Sequence, residues 1–355
     1  MKKFLWISFK ISIVLALSTG TVRAAEVFSS HDVSSDQSNS AADYWTPERM
    51  QNAKPFPTPK RPATVQGYVA ESSESSGASG SYPGYDPDKR AESVRLDNAA
   101  GPGGTLVGES NGYAYPPPQE TFFVMESNYG TASTPYPYKT IGKVFFTGVA
   151  GEDSECSAAS IGGRAVLTAA HCVCEEGVYY TNWIFVPAYR DGKAPFGKWT
   201  ASSFMTFSSF LKKEDIGRDV AFAIVKDHDG AKLSKAVGNL GFAYGQSRIR
   251  HWSMFGYPAE EPWTGKVMVE TEASYAAMGT TYTPNTTGIG TTQLGGCSGG
   301  PWIMNFAPGR HGKQDNLANG VNSYSPEKQD LWIFSSYFDS GKNGVEGLYK
   351  EAIAK

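Results

Sequence analysis

The sequence predicts an all-β fold over the chain from about residue 134 onward, ahead of which lies a leader with little to bury. Two observations carry this. From Pro135-Tyr136-Pro137-Tyr138 on, short apolar runs rich in branched and aromatic residues recur between glycine and polar breaks, a spacing that suits strands of a barrel or sandwich and is too short for helices. Residues 25–133 instead abound in Ser, Pro, Gly and Tyr, with few branched aliphatics, a composition that cannot build a packed core.

The chain opens on Met1-Lys2-Lys3, an apolar run from Ile11 to Leu17, and Val22-Arg23-Ala24. Positive charge, a short apolar core and a small residue before Ala25 predict a signal peptide over residues 1–24, hence an exported protein in which disulfides persist. That run is too short to span a bilayer, and no later stretch reaches spanning length, so no stable membrane insertion is expected. Residues 25–133, with Glu71-Ser72-Ser73-Glu74-Ser75-Ser76-Gly77 and Tyr115-Pro116-Pro117-Pro118, read as a mostly disordered pro-segment or linker. Strands are predicted at Ile141 to Thr147, Ala158 to Ile161, Ala165 to Ala169, Trp183 to Val186, Val220 to Val225 and Trp252 to Phe255, then at Val267 to Thr271, Trp302 to Met304, Gly320 to Tyr324 and Leu331 to Ser335. Only Val345 to Ala354 has helical spacing, with Val345, Leu348 and Ala352 on one face. At 355 residues and 40% hydrophobic content the chain can hold a sizeable core. A formal charge of −3 provides no basic field for nucleic acid, and a monomer is the default.

The chemistry centres on Gly295-Gly296-Cys297-Ser298-Gly299-Gly300-Pro301-Trp302. Glycines around one serine let backbone N–H groups, those of Gly296 and Ser298, converge where a carbonyl oxygen would gain charge. A serine nucleophile needs a base, and His171 follows directly on the apolar run Ala165 to Ala169; imidazole can take and return a proton near neutral pH. The base needs an orienting carboxylate. Asp219 stands at the head of the apolar run Val220 to Val225, with Asp215 as its rival.

Thr168-Ala169-Ala170-His171-Cys172, Asp219-Val220-Ala221 and Gly296-Cys297-Ser298-Gly299-Gly300-Pro301 together resemble the chymotrypsin-like serine proteases, whose chain order is likewise His, Asp, Ser. Pro135-Tyr136-Pro137-Tyr138, Gly256-Tyr257-Pro258 and the 79 residues from Asp219 to Ser298 are similar to the glutamyl-endopeptidase branch. The resemblance implies two antiparallel β-barrels, at about residues 134–235 and 236–343, ahead of the terminal helix read from the periodicity, at about 344–355. It implies a serine endopeptidase acting on protein or peptide substrates through His171, Asp219 and Ser298 and an acyl-enzyme, without a cofactor. The alternative is a protease homologue without catalysis that binds peptides or a partner.

The resemblance also places Cys156 and Cys172 in a disulfide, whose loop closure would contribute about 3 kcal/mol. An even cysteine count then points to Cys174 with Cys297, although four cysteines allow three connectivities. A zinc site of His171, Cys172 and Cys174 would need a Cys-x-Cys pair that lacks the usual ligand spacing, so no metal is expected. Two features depart from the trypsin-like pattern: Cys297 replaces the aspartate before the nucleophile, and Thr140-Ile141-Gly142-Lys143 stands where Ile-Val-Gly-Gly would. Activation of the trypsinogen type is therefore not expected. The stretch Gly320 to Ser325 resembles the strand that pairs with substrate backbone, which assigns Ser323, Tyr324 and Ser325 to substrate binding. At the primary pocket, Thr292 stands where trypsin-like enzymes carry an aspartate, and Gln293 and Asn322 replace the threonine and histidine of glutamyl endopeptidases. An uncharged pocket follows, lined by Thr292, Gln293, Asn322 and Ser325.

Overall fold

Six strands close a barrel in the first half of the domain. Ile141–Thr147 pairs antiparallel with Asp153–Gly162, which pairs with Ala165–Thr168, and that strand in turn with Ala221–Val225. Ala221–Val225 then pairs with Trp199–Phe207, and Thr181–Pro187 bridges that strand back to Ile141–Thr147. A computed structural model of the protein describes residues 27–66, 78–88, 121–124, 134–327 and 331–355. The expected signal peptide at 1–24 and the runs Glu71–Gly77 and Tyr115–Pro118 lie outside the described residues. Phe146, Val166, Leu167, Phe185, Phe204 and Phe222 are buried in the core, where removal of their apolar area from water drives closure.

The second half is a sheet running through Trp332–Ser335, Thr286–Gly290, Val269–Gly279, His251–Gly256, Pro301–Met304, Leu317–Val321, Gly241–Tyr244 and Gly80–Tyr82. Its neighbours are antiparallel except Gly241–Tyr244 with Leu317–Val321. The terminal helix Val345–Ile353 buries Val345, Leu348 and Ala352 as its periodicity predicts, and Tyr349 stacks on Phe242 at 4.1 Å. Trp199–Phe207, Gly241–Tyr244 and Thr286–Gly290 are strands that the sequence reading lacked, because Thr, Ser and Gly interrupt their apolar residues.

Part of the segment ahead of residue 134 is built into the domain rather than trailing from it. Phe28–Asp32 adds a strand to the Trp199–Phe207 edge. Helix Ser35–Tyr44 starts at Ser34, whose hydroxyl accepts from the Gln37 N–H, and helix Pro47–Asn52 starts at Thr46, whose hydroxyl accepts from Arg49; both are preferred N-cap residues. Between them Trp45 is fully buried, with its ring 5.3 Å from that of Phe145 and its Nε1–H donating to the Asn182 carbonyl. Composition undervalued this stretch because few but large side chains, Trp45 and Met50, do the burying.

Trp45→Ala in the full chain should therefore cost about 3–5 kcal/mol in urea unfolding, while Val149→Ser, at an exposed position, should stay within about 0.5 kcal/mol. A leader that merely trails from the domain would make the two variants equal.

Candidate active site

The loop that carries Ser298 can turn only because of two glycines. Gly296 has φ +91° and Gly299 φ +79°, conformations that residues with a Cβ avoid. A Cβ on Gly299 would also stand 2.0 Å from Thr168 Oγ1 and 2.4 Å from the Ser157 carbonyl. Ser157, on the barrel strand Asp153–Gly162, holds the loop in place. Its N–H donates to the Ser298 carbonyl at 2.7 Å, and its hydroxyl donates to the Gly296 carbonyl and accepts from the Tyr257 N–H, each at 2.9 Å. Sequence reasoning missed Ser157; its only signal was its place beside Cys156.

His171 lies in a 3-10 turn, Ala170–Cys172, that ends the strand Ala165–Thr168. Cys172 is bonded to Cys156, with Cα atoms 6.2 Å apart. Tyr180 donates its hydroxyl to the His171 carbonyl at 3.2 Å, and the Trp183 Nε1–H donates to the Cys172 carbonyl at 3.0 Å. His171 Nδ1 is 2.7 Å from Asp219 Oδ2, and the His171 backbone N–H donates to Oδ1 at 2.9 Å. The Ser323 hydroxyl also donates to Oδ2, at 2.5 Å. Asp219, not Asp215, is therefore the partner of His171. Burial would raise the Asp219 carboxyl, but the His171 charge and the hydrogen bonds from His171 and Ser323 outweigh it and hold the pKa below the usual carboxylate range. Ser298 Oγ and His171 Nε2 are both buried and have no hydrogen-bond partner among the described residues. An uncommitted hydroxyl, a base with one free nitrogen and a fixed carboxylate suit nucleophilic acyl transfer.

The expected pocket residues divide into two groups. Asn322 is fully committed: its Nδ2 donates to the carbonyls of Phe255 and Cys297, and its Oδ1 accepts from Trp302 Nε1 at 2.7 Å. It is buried and braces the Ser298 loop, with both of its N–H donors taken, so it is not a donor to a substrate, a correction to the sequence reading. Tyr324 shares a hydrogen bond with Thr286 and stacks on Phe334. Gln293 Nε2 donates to Thr271 Oγ1 at 2.8 Å, leaving its Oε1 buried and unpartnered, as is Ser325 Oγ. Thr292 is partly exposed.

The second disulfide is also corrected. Cys174 and Cys297 are free buried thiols, because each Sγ turns to the carbonyl four residues back in its own loop, that of Ala170 and that of Gln293, both at 3.5 Å. Burial pushes both thiols well above their ordinary pKa. Cys156, His171 and Cys172 present ligand atoms within 4.8 Å of one another, but the disulfide consumes both sulfurs and Asp219 takes one imidazole nitrogen, so these residues do not fit a metal ion.

Leader residues occupy the cleft. The Gly296 N–H donates to the Phe56 carbonyl at 3.1 Å, and the Phe56 ring lies 5.6 Å from the His171 ring.

No protein-family model matches the chain, and no curated protein does. Solved structures do. The protease Anisep from Arthrobacter nicotinovorans is 33% identical, with a TM-score of 0.53, over 62% of this chain and 97% of that one. The thermostable serine protease AL20 from an extremophilic microorganism is 28% identical, with a TM-score of 0.52, over 61% and 99%. A Glu endopeptidase, 18% identical with a TM-score of 0.51 over 66% and 97%, shares the fold. Barrel and relatives agree: the chain belongs to the chymotrypsin-fold serine proteases.

Two outcomes follow for the site. Ser157→Ala leaves the Gly296 carbonyl and the Tyr257 N–H without their hydroxyl partner, at about 1–3 kcal/mol each, read as a lower urea midpoint. Asp219, with its pKa held low, contributes stability that is present above its unfolded pKa of about 3.9 and lost as pH falls through the lower folded value. Asp219→Asn should flatten the dependence of stability on pH in that acid window, and an unchanged slope would contradict the assignment.

Proposed function

We propose that the protein is an exported serine endopeptidase that works through His171, Asp219 and Ser298. The observation that carries this reading is the bonding of Asp219, which takes His171 by ring and backbone while Ser323 donates to the same carboxylate, and which leaves Nε2 free to serve a nucleophile. Ser298 Oγ attacks the scissile carbonyl carbon as its proton passes to His171 Nε2, and Asp219 stabilises the imidazolium. The N–H groups of Gly296 and Ser298 receive the oxyanion. The tetrahedral intermediate collapses when His171 protonates the departing amine, and water, activated by the same base, frees the acyl group from Ser298.

With Asn322 committed elsewhere, the primary pocket draws on Thr292, Gln293 and Ser325, none of them charged. Two unpartnered polar atoms, Gln293 Oε1 and Ser325 Oγ, favour a side chain that can hydrogen-bond, since leaving a buried polar group unpaired costs about 1–3 kcal/mol. Arg and Lys find no carboxylate there. Weak selectivity for polar uncharged or acidic residues before the cut is the expectation. The Cys156–Cys172 bridge supports an oxidising compartment, consistent with export.

The protein recovered from the culture medium, incubated with a peptide library and read by mass spectrometry, tests activity and preference together. Ser298→Ala should abolish cleavage and labelling by a serine-reactive phosphonate. Asp219→Asn should lower kcat by about 10⁴-fold, as loss of the orienting carboxylate does in trypsin, and Asp215→Asn should have a mild effect. Phosphonate labelling that survives Ser298→Ala would end the assignment, and a profile dominated by Arg or Lys would end the pocket reading.

A further inference from the structure

Leader residues 54–61 thread the cleft from one wall to the other. Lys54–Pro55 pairs in parallel with Ser154 and Glu155, and the Phe56 N–H donates to the Glu155 carbonyl at 2.9 Å. The Phe56 carbonyl takes the Gly296 N–H, the donor assigned to an oxyanion. Thr58 is buried. Beyond it the Pro59 carbonyl accepts the Ser325 N–H at 3.0 Å, and Lys60–Arg61 pairs in parallel with Ser325–Pro326. The Phe56 ring covers His171 and packs against Phe146 and Tyr180. Arg61 ties the far end to Glu214 at 2.8 Å.

We infer that Lys54–Pro62 is a built-in inhibitor that the cleft binds in the direction opposite to a substrate. The inference rests on the protease reading. In a productive complex the residue filling the primary pocket supplies the carbonyl at Gly296, and the residues before it lie along the wall at Ser325. Here the residues along that wall, Pro59 to Arg61, come after the carbonyl. The bond at risk, Phe56–Pro57, therefore sends its leaving nitrogen toward Ser325, whereas His171 stands under the Phe56 ring. The base that must protonate the departing amine is on the wrong side of the bond, and Ser298 stays buried beneath an intact chain. Prolines at 55, 57, 59 and 62 fix φ and keep the segment extended in the free chain, so little further entropy is lost on binding. The helices on its N-terminal side, anchored by Trp45, and the Arg61 tether on its C-terminal side hold the segment at high effective concentration. The protein as synthesised is thus a latent form, and its occupant is a proline-rich peptide with an aromatic residue over the base.

The test is the rate at which a fluorophosphonate labels Ser298 in the purified full chain of intact mass. Wild type should label at least about tenfold more slowly than Phe56→Ala, with the Phe56–Pro57 bond uncut in both by mass spectrometry. Should Phe56→Ala melt early, Arg61→Ala, which removes the tether to Glu214, should raise the rate in the same direction by a smaller factor. Equal rates in wild type and both variants overturn the inhibitor alone, as does cleavage at Phe56–Pro57 in the wild-type chain. Failure of Ser298 to label in any form, including variants that keep the wild-type melting temperature, removes the protease reading and this inference with it.

Discussion

One pair of adjacent residues ties the site together. Successive side chains of a strand point to opposite faces, and on Asp153–Gly162 that alternation sets Cys156 and Ser157 to different tasks. Cys156 bonds Cys172, the neighbour of His171, and so fixes the histidine turn from within the first barrel. Ser157 reaches across to the second half and takes the Ser298 and Gly296 carbonyls. A covalent bond and backbone-directed hydrogen bonds from one strand therefore set the histidine turn and the Ser298 loop against each other. Neither loop could keep its place by local propensity, since one is a single 3-10 turn and the other is rich in glycine.

Buried polar groups supply the second layer of support. Lys143 and Glu155 form an ion pair almost wholly shielded from water, and Lys143 Nζ also donates to the Gly265 carbonyl. Burial lowers the Lys143 pKa and raises that of Glu155, each opposed by its partner. Such a pair adds little net stability, because desolvation cancels most of the attraction, yet removing one partner strands the other. Its value here is positional. Gly265 belongs to the same loop as Ala259, whose N–H donates to the Gly295 carbonyl, and Glu260, which accepts from the Gly295 N–H. The Ser298 loop is thus braced through this loop by an ion pair set in the first barrel.

Much of this was legible in the sequence, and what escaped has physical causes. The pairing of Asp219 with His171 could be expected from motifs that stand at the ends of apolar runs, and Val345, Leu348 and Ala352 lie on one helical face, so local patterns suffice for them. Asn322 could not be placed: its amide is taken by Phe255, Cys297 and Trp302, contacts that depend on how distant strands meet. The free thiols of Cys174 and Cys297 escaped for a similar reason, because an even count says nothing of where each side chain points. Strands such as Trp199–Phe207 owe their existence to neighbours on both sides rather than to their own apolar content.

The leader shows why composition alone misjudges a segment that folds on something else. A chain with few aliphatic residues cannot bury its own core, but it need not do so where another surface offers unpaired strand edges and a cleft. Phe28–Asp32 takes the edge of the first barrel, and Lys54–Pro55 and Lys60–Arg61 take the two walls of the cleft. Backbone hydrogen bonds of this kind depend little on side-chain type. Trp45 and Phe56 then add apolar contact at two points where the host surface already presents aromatic rings, Phe145 for one and Phe146 with Tyr180 for the other. A cleft with open strand edges and polar donors can take an extended peptide backbone, and that openness lets a proline-rich stretch of the same chain lie down in it.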